Sequence, residues 1–306
     1  MTKEKQLIEV MGIDVRLEQV TILGYTLNYV TAGKGPVALF LHGANIGWGQ
    51  WYKTLVACAP FFTVIAVDLP GTGGSTKINY HETDIVSQSV PVVEEFIRYI
   101  QRQYSVDDVA LVGHSFGGWV ALKIASEQPD LVRCCALSSP VGFSSDMPLH
   151  QRMLGVYPVA WLLSRTVLKP HVENIHKFLL DACYRKEACD RVFSEYVHES
   201  MHRGILSHPF LFIHSLLSGL KMRKELVFQS DITDTQIPTC IVFGVFDPVV
   251  SYLAHEPRCR TLLPKASIIA YNTGHVPMLE QPDQFNKDLI SFLHKHSPAC
   301  QYGVSY

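Results

Sequence analysis

The sequence predicts an α/β protein: one mostly parallel sheet flanked by helices, with a helical segment inserted late in the chain. Three observations carry this. Short apolar runs alternate with helix-patterned stretches up to about residue 140, as in strand–helix–strand units. The alternation then stops, and residues 141–230 show helical patterns with no convincing strand before two further apolar runs appear. Finally, 306 residues, 47% of them hydrophobic and 18% charged, suffice for one large domain with an insertion.

Two early strands are expected at about 15–22 and 25–32. Val37–Leu41 and Thr63–Val67 follow as continuous apolar runs, the pattern of strands buried on both faces. From Asp84 to Gln103, Ile85, Val86, Val90, Val93, Ile97 and Ile100 recur at broadly helical spacing, with Pro91 inside as a candidate kink. Val109–Val112 and Val132–Leu137 are the next strands, and Thr239–Gly244 and Ser267–Tyr271 the last two. The expected division is a core of residues 1–140 and 231–306 with a helical cap of residues 141–230. Residues 297–306 carry no pattern.

Gly113-His114-Ser115-Phe116-Gly117 reads G-x-S-x-G between an apolar strand and a helix start. A serine on such a turn presents its hydroxyl to a cleft, and the tight backbone calls for small neighbours. The helix that begins there aims free N–H groups at the same place. A serine hydroxyl needs a base to remove its proton, and the base needs an acid to hold its tautomer. Where G-x-S-x-G carries a nucleophile, the order is serine, acid, histidine. Asp247 follows the Thr239–Gly244 strand and His275 follows the Ser267–Tyr271 strand, each at a carboxyl end, where open α/β sheets form their sites. The catalytic candidates are therefore Ser115, Asp247 and His275. An oxyanion hole needs two backbone N–H groups. Phe116 supplies one, and Ala44, in the loop after Val37–Leu41, the other, with Asn45 as the neighbouring choice. His42, His114 and the histidines at 171, 176, 198, 202, 208 and 214 have no late strand before them and are read as shaping or surface residues.

Leu41-His42-Gly43, Asp68-Leu69-Pro70-Gly71-Thr72-Gly73-Gly74-Ser75, Gly113–Gly118, Gly244–Pro248 and Gly274–Pro282 together resemble the α/β-hydrolase superfamily. The resemblance implies the α/β-hydrolase fold and a helical cap over the site. It also makes Asp68 part of a loop signature rather than the triad acid. Relatives that dehalogenate or open epoxides carry aspartate at the elbow, so Ser115 points to acyl transfer to water with no cofactor. The apolar cap and the aromatics Trp48, Trp51 and Phe116 near the expected mouth favour an ester with a small or medium apolar acyl group, with Trp48 and Trp51 as substrate contacts. A C–C hydrolase of the meta-cleavage type would need a cationic holder for a carboxylate, for which Arg152, Arg165, Arg191 and His202 are candidates. A ligand-binding receptor on the same fold is the non-enzymatic alternative, since fold alone does not set function.

The net charge of −2, without a basic block, leaves no footprint for nucleic acid. The charged N-terminus fits neither a signal peptide nor a membrane span, so no stable membrane insertion is expected. Eight scattered cysteines without C-x-x-C fit a reducing, cytoplasmic setting, with Cys183–Cys189 as the one conceivable bridge. No Cys/His cluster has zinc spacing, so no metal is expected.

Overall fold

The computed structural model describes residues 1–166, 171–203, 211–233 and 235–297. Helix α1 (Lys3–Met11) precedes a hairpin of β1 (Val15–Ile22) and β2 (Tyr25–Ala32). Leu23 and Gly24 turn it with φ of 49° and 84°, which suits a two-residue turn to the twist of its strands. Then β3 (Val37–Leu41), α2 (Tyr52–Cys58), β4 (Thr63–Val67), α3 (Ile85–Tyr104), β5 (Val109–His114), α4 (Ser115–Glu127) and β6 (Val132–Ser138) alternate. The interruption holds α5 (Leu149–Arg152), α6 (Tyr157–Thr166), α7 (Val172–Ala182), α8 (Arg191–Arg203) and α9 (Leu211–Ser215). It also holds a two-residue hairpin, β7 (Leu217–Ser218) and β8 (Lys221–Met222), too short for any periodicity to announce it. The chain closes with β9 (Thr239–Gly244), α10 (Tyr252–Leu262), β10 (Ser267–Tyr271), α11 (Pro277–Glu280) and α12 (Pro282–Lys295).

The eight-stranded sheet runs β1-β2-β4-β3-β5-β6-β9-β10. The first two pairings are antiparallel and the rest parallel. Alternation along each central strand divides the core. Leu39, Leu111 and Ile241 pack with α3 and α4 on one face, whereas Phe40, Val112 and Val242 pack with α2 and α12 on the other. Helix α3 passes through Pro91 uninterrupted, because Pro91 and Ser87, the residue whose carbonyl it cannot bond, both lie on the solvent face. Strands β3 and β5 are neighbours whose connections leave in opposite directions, β3 to β4 and β5 to β6. The crevice at their carboxyl ends is thus the topological switch point, and it opens between Ala44 and Ser115. Among the described residues no helix is long and apolar enough to cross a membrane.

Candidate active site

Ser115 starts α4 with φ of 52°, a left-handed conformation that few residues other than glycine adopt. Its glycine neighbours are a steric requirement. A Cβ on Gly113 would lie 2.6 Å from the Gly117 carbonyl oxygen, and one on Gly117 would lie 2.4 Å from the carbonyl oxygens of both Leu41 and His42. The strand, the turn and the helix therefore interlock only with glycine at both ends of the pentapeptide.

Ser115, His275 and Asp247 meet at the carboxyl ends of β5, β10 and β9, all buried. The Ser115 hydroxyl donates to His275 Nε2 across 3.1 Å. His275 Nδ1–H donates to Asp247 Oδ2 across 2.8 Å, and this carboxylate partner fixes the proton on Nδ1. The other oxygen, Oδ1, accepts from the N–H groups of Val249 and Val250, both at 2.8 Å. Asp247 is thus held from both sides, and the line from carboxylate to imidazole to hydroxyl is already assembled.

The loop bearing His275 is tied to two other parts of the molecule. Glu280, buried on α11, accepts from Gly274 N–H at 2.8 Å through Oε1, and from Tyr184 and Arg185 N–H at 2.9 and 2.8 Å through Oε2. His275 N–H donates to the Ala182 carbonyl at 2.8 Å. The end of α7 therefore props the histidine directly. On the opposite side runs a chain of bonds through His114. Gly43 N–H donates to Gln50 Oε1 (2.8 Å), Gln50 Nε2 donates to His114 Nδ1 (2.9 Å), and His114 Nε2–H donates to the His275 carbonyl (2.8 Å). His114 is therefore a neutral bridge between the loop after β3 and the His275 loop, and burial holds it well below the usual imidazole range. His42 is likewise neutral. Its Nε2 accepts from Leu69 N–H at 3.0 Å while Nδ1–H donates to the Gly43 carbonyl, and burial pushes its pKa down to about 4.

Ala44 and Phe116 border the same cavity as Ser115, and the Phe116 amide lies in the first turn of α4, where N–H groups have no intrahelical partner. The cavity, of about 130 Å³, is walled mostly by apolar side chains, including Met147, Phe178, Phe193 and Phe212 from the interrupting segment. Trp48 and Trp51, expected at the mouth, stand elsewhere: both are fully buried and neither lines the cavity. The 3₁₀ turn Trp48–Trp51 directs Trp51 down against Phe40 and Phe285 (centroids 5.5 and 6.3 Å) and Trp48 against Tyr196 (5.5 Å). Trp48 Nε1 also donates to Glu4 at 2.9 Å, so these rings anchor α1 and α8 to the sheet.

Asp68 is apart from the triad candidates. Its carboxylate accepts from Trp48 N–H (2.8 Å), Asn28 Nδ2 (2.9 Å) and Gly74 N–H (3.0 Å), and burial, with Glu4 nearby, raises its pKa to about 7. Of the cationic candidates, Arg152, Arg191 and His202 do not line the cavity. Arg152 donates to the Leu220 carbonyl, Arg191 pairs with Glu173 and Glu195, and His202 bonds the His198 carbonyl. No lysine or arginine borders the cavity among the described residues. His208, Cys300 and the side chain of Arg165 lie outside the described residues. Among the described residues no cluster of three His, Cys, Asp or Glu could hold a metal ion.

Sequence reasoning passes over Gln50 and the bridging part of His114, because neither spacing nor residue type marks a buried side chain that links two loops by hydrogen bonds. Glu280 had a signal, its place in the Gly274–Pro282 segment, but no role that spacing could assign.

Comparison with known proteins agrees with this architecture. The chain is 26% identical over 274 residues, 88% of its length and 99% of the relative's, to a pimeloyl-[acyl-carrier protein] methyl ester esterase of Vibrio atlanticus. Among solved structures, carboxylesterase CesB of Bacillus subtilis superposes with a TM-score of 0.72 at 17% identity, covering 95% of each chain. A meta-cleavage product hydrolase of Pseudomonas fluorescens superposes with a TM-score of 0.72 at 21% identity, covering 92% of this chain and 98% of the other. The model of the alpha/beta hydrolase family matches residues 38–288, and the chain belongs to that family.

Proposed function

We infer that this hydrolase is a serine carboxylesterase acting through Ser115, His275 and Asp247. The observation that carries the reading is the pair of contacts, 3.1 Å from Ser115 to His275 and 2.8 Å from His275 to Asp247, opening on an apolar cavity. Ser115 Oγ attacks the ester carbonyl while His275 Nε2 takes its proton, and the imidazolium is stabilised by Asp247. The amides of Phe116 and Ala44 receive the developing oxyanion. His275 then protonates the leaving alcohol, and water, deprotonated by the same nitrogen, releases the acid. No cofactor enters this scheme. The helices of residues 141–230 act as a cap that excludes water and shapes the cavity, and its apolar wall favours a small or medium apolar acyl group. The esterase named above, similar over nearly the whole chain, supports an ester rather than a carbon–carbon bond. So does the cavity wall, which among the described residues offers no cation to a substrate carboxylate. The seven described cysteines, all buried free thiols, accord with a reducing, cytoplasmic setting.

The test is a fluorophosphonate probe mapped by mass spectrometry, with p-nitrophenyl butyrate turnover in parallel. Labelling at Ser115 with turnover, both lost in Ser115→Ala, is expected. Labelling without turnover of any ester would turn the assignment toward a ligand-binding role, and labelling elsewhere would refute it.

A further inference from the structure

Four polar side chains besides the reacting groups and His114 reach the cavity: Gln50, Asp146, Gln151 and His255. Gln50 is committed to Gly43 and His114. His255, on α10, is 1% exposed. Its Nδ1–H donates to the Ser251 carbonyl one turn back, at 3.0 Å. That bond places the proton on Nδ1 and leaves Nε2, at the far tip of the ring, as a lone-pair acceptor. Nε2 is enclosed and has no hydrogen-bond partner, a state that buried polar atoms seldom keep without a reason. Burial also holds the ring below the usual imidazole range, so near neutral pH it offers a lone pair rather than a charge.

Its position relative to the reacting groups follows from the chain. Helix α10 begins just after Asp247, and Val249 and Val250, whose amides hold that carboxylate, line the same cavity as His255. His255 is close enough to Asp247, His275 and Asp146 to feel the charge of each. In ester cleavage His275 must return a proton to the departing oxygen, so the leaving alcohol sits on the His275 side, which is also the His255 side. The second polar group there, the Asp146 carboxylate, is again an acceptor. An apolar cavity with two acceptors beside the leaving-group position selects a donor on the alcohol.

We propose that His255 is a specificity-determining residue whose Nε2 accepts a hydrogen bond from a hydroxyl on the leaving alcohol, so that esters of hydroxylated alcohols are preferred to plain alkyl esters. The proposal rests on the esterase reading above. In the reaction the bond from Ser115 Oγ to the acyl carbon forms, the bond from that carbon to the alcohol oxygen breaks, and His275 delivers the proton to that oxygen. The second hydroxyl keeps its proton and serves only for recognition.

The experiment compares kcat/KM for 2-hydroxyethyl butyrate and propyl butyrate, equal in heavy atoms and differing by hydroxyl against methyl, in wild type, His255→Leu and His255→Gln. Wild type is expected to favour the hydroxyethyl ester on the order of 10-fold or more, since a site with a buried acceptor rejects a substrate that leaves it unpaired. In His255→Leu the ratio is expected to fall to about one or below, and in His255→Gln, which retains a side-chain acceptor, to remain between the two. The ratio is read only on preparations whose Ser115 takes the fluorophosphonate label, which separates selectivity from misfolding. An active wild type with no preference, or a His255→Leu ratio equal to that of wild type, overturns this proposal and leaves the esterase reading intact. Absence of both labelling and ester turnover in wild type overturns the esterase reading and this proposal with it.

Discussion

Replacing Glu280 by glutamine, a change that preserves size and shape, is expected to be nearly as damaging as replacing it by alanine. Both carboxylate oxygens are acceptors: Oε1 for Gly274 N–H at 2.8 Å, and Oε2 for Tyr184 and Arg185 N–H at 2.9 and 2.8 Å. Glutamine has one oxygen. Turned toward Gly274, it presses its NH₂ against two N–H groups; turned the other way, it presses it against one. Each buried or half-buried amide left unpaired costs about 1–3 kcal/mol. Counting the two partly buried ones at the low end gives roughly 3–5 kcal/mol for alanine and slightly less for glutamine. For a chain of this size that is a fall in Tm of roughly 6–15 °C. The effect extends beyond stability, because the amides concerned flank the His275 loop and the end of α7. Loosening them lets His275 drift from Ser115, and kcat for p-nitrophenyl butyrate is expected to drop on the order of 10-fold or more with a smaller change in KM. Scanning calorimetry and steady-state kinetics on Glu280→Gln and Glu280→Ala provide the measurement. A glutamine variant with wild-type Tm and kcat would show that the charge-assisted bonds at this carboxylate are not what holds the loop.

Asp247→Asn is expected to lower kcat on the order of 10⁴-fold: Asn retains an acceptor for the Val249 and Val250 amides but turns its NH₂ toward His275 Nδ1, moving the imidazole proton to the nitrogen that faces Ser115. Near-normal turnover would remove Asp247 from the triad. Two of the depressed histidines, His42 and His114, make a stability prediction with a definite sign. The unfolded chain takes protons on His42 and His114 below about pH 6.5 while the folded chain refuses them. Stability is thus complete above that pH and falls on acidification, by about 1.4 kcal/mol per pH unit for His42 until its folded pKa is reached. Urea midpoints at pH 7 and pH 5 should show a shallower loss in His114→Gln than in wild type; equal slopes would refute a linkage through His114. Trp51→Ala should cost about 3–5 kcal/mol as a core truncation with KM for p-nitrophenyl butyrate within about two-fold. A raised KM at unchanged Tm would return Trp51 to the substrate.

What the sequence disclosed, and what it withheld, divide along a physical line. Of the strands that carry the site, β5 and β9 are continuous apolar runs buried throughout and β10 is a short apolar run at the sheet edge, and such runs announce themselves. The pieces that end them, Gly113–Gly117 after β5, Asp247 after β9 and His275 after β10, are local in sequence, because a sharp turn or a chemically active side chain must stand at a fixed offset from its strand. Trp48 and Trp51 lie under the cleft rather than at its mouth, and sequence cannot tell the two places apart because both call for an aromatic. Only the dihedral path of the 3₁₀ turn sends them toward Phe40 and Tyr196. Gln50, His114, Glu280 and His255 were opaque for a related reason. Apart from the Gln50–His114 pair, their partners are backbone groups, which leave no complementary letter in the sequence to pair them with. Yet Gln50, His114 and Glu280 help hold His275 in place beside Ser115 and Asp247. His114 joins the loop after β3 to the His275 carbonyl, and Glu280 joins Gly274 to residues 184 and 185 at the far end of α7. The His275 imidazole is thus gripped on one side by the sheet and on the other by the interrupting helices. Movement of those helices would be felt at His275 through the Ala182 carbonyl and the Glu280 carboxylate, so the segment that walls the cavity also holds His275 in line with Ser115 and Asp247.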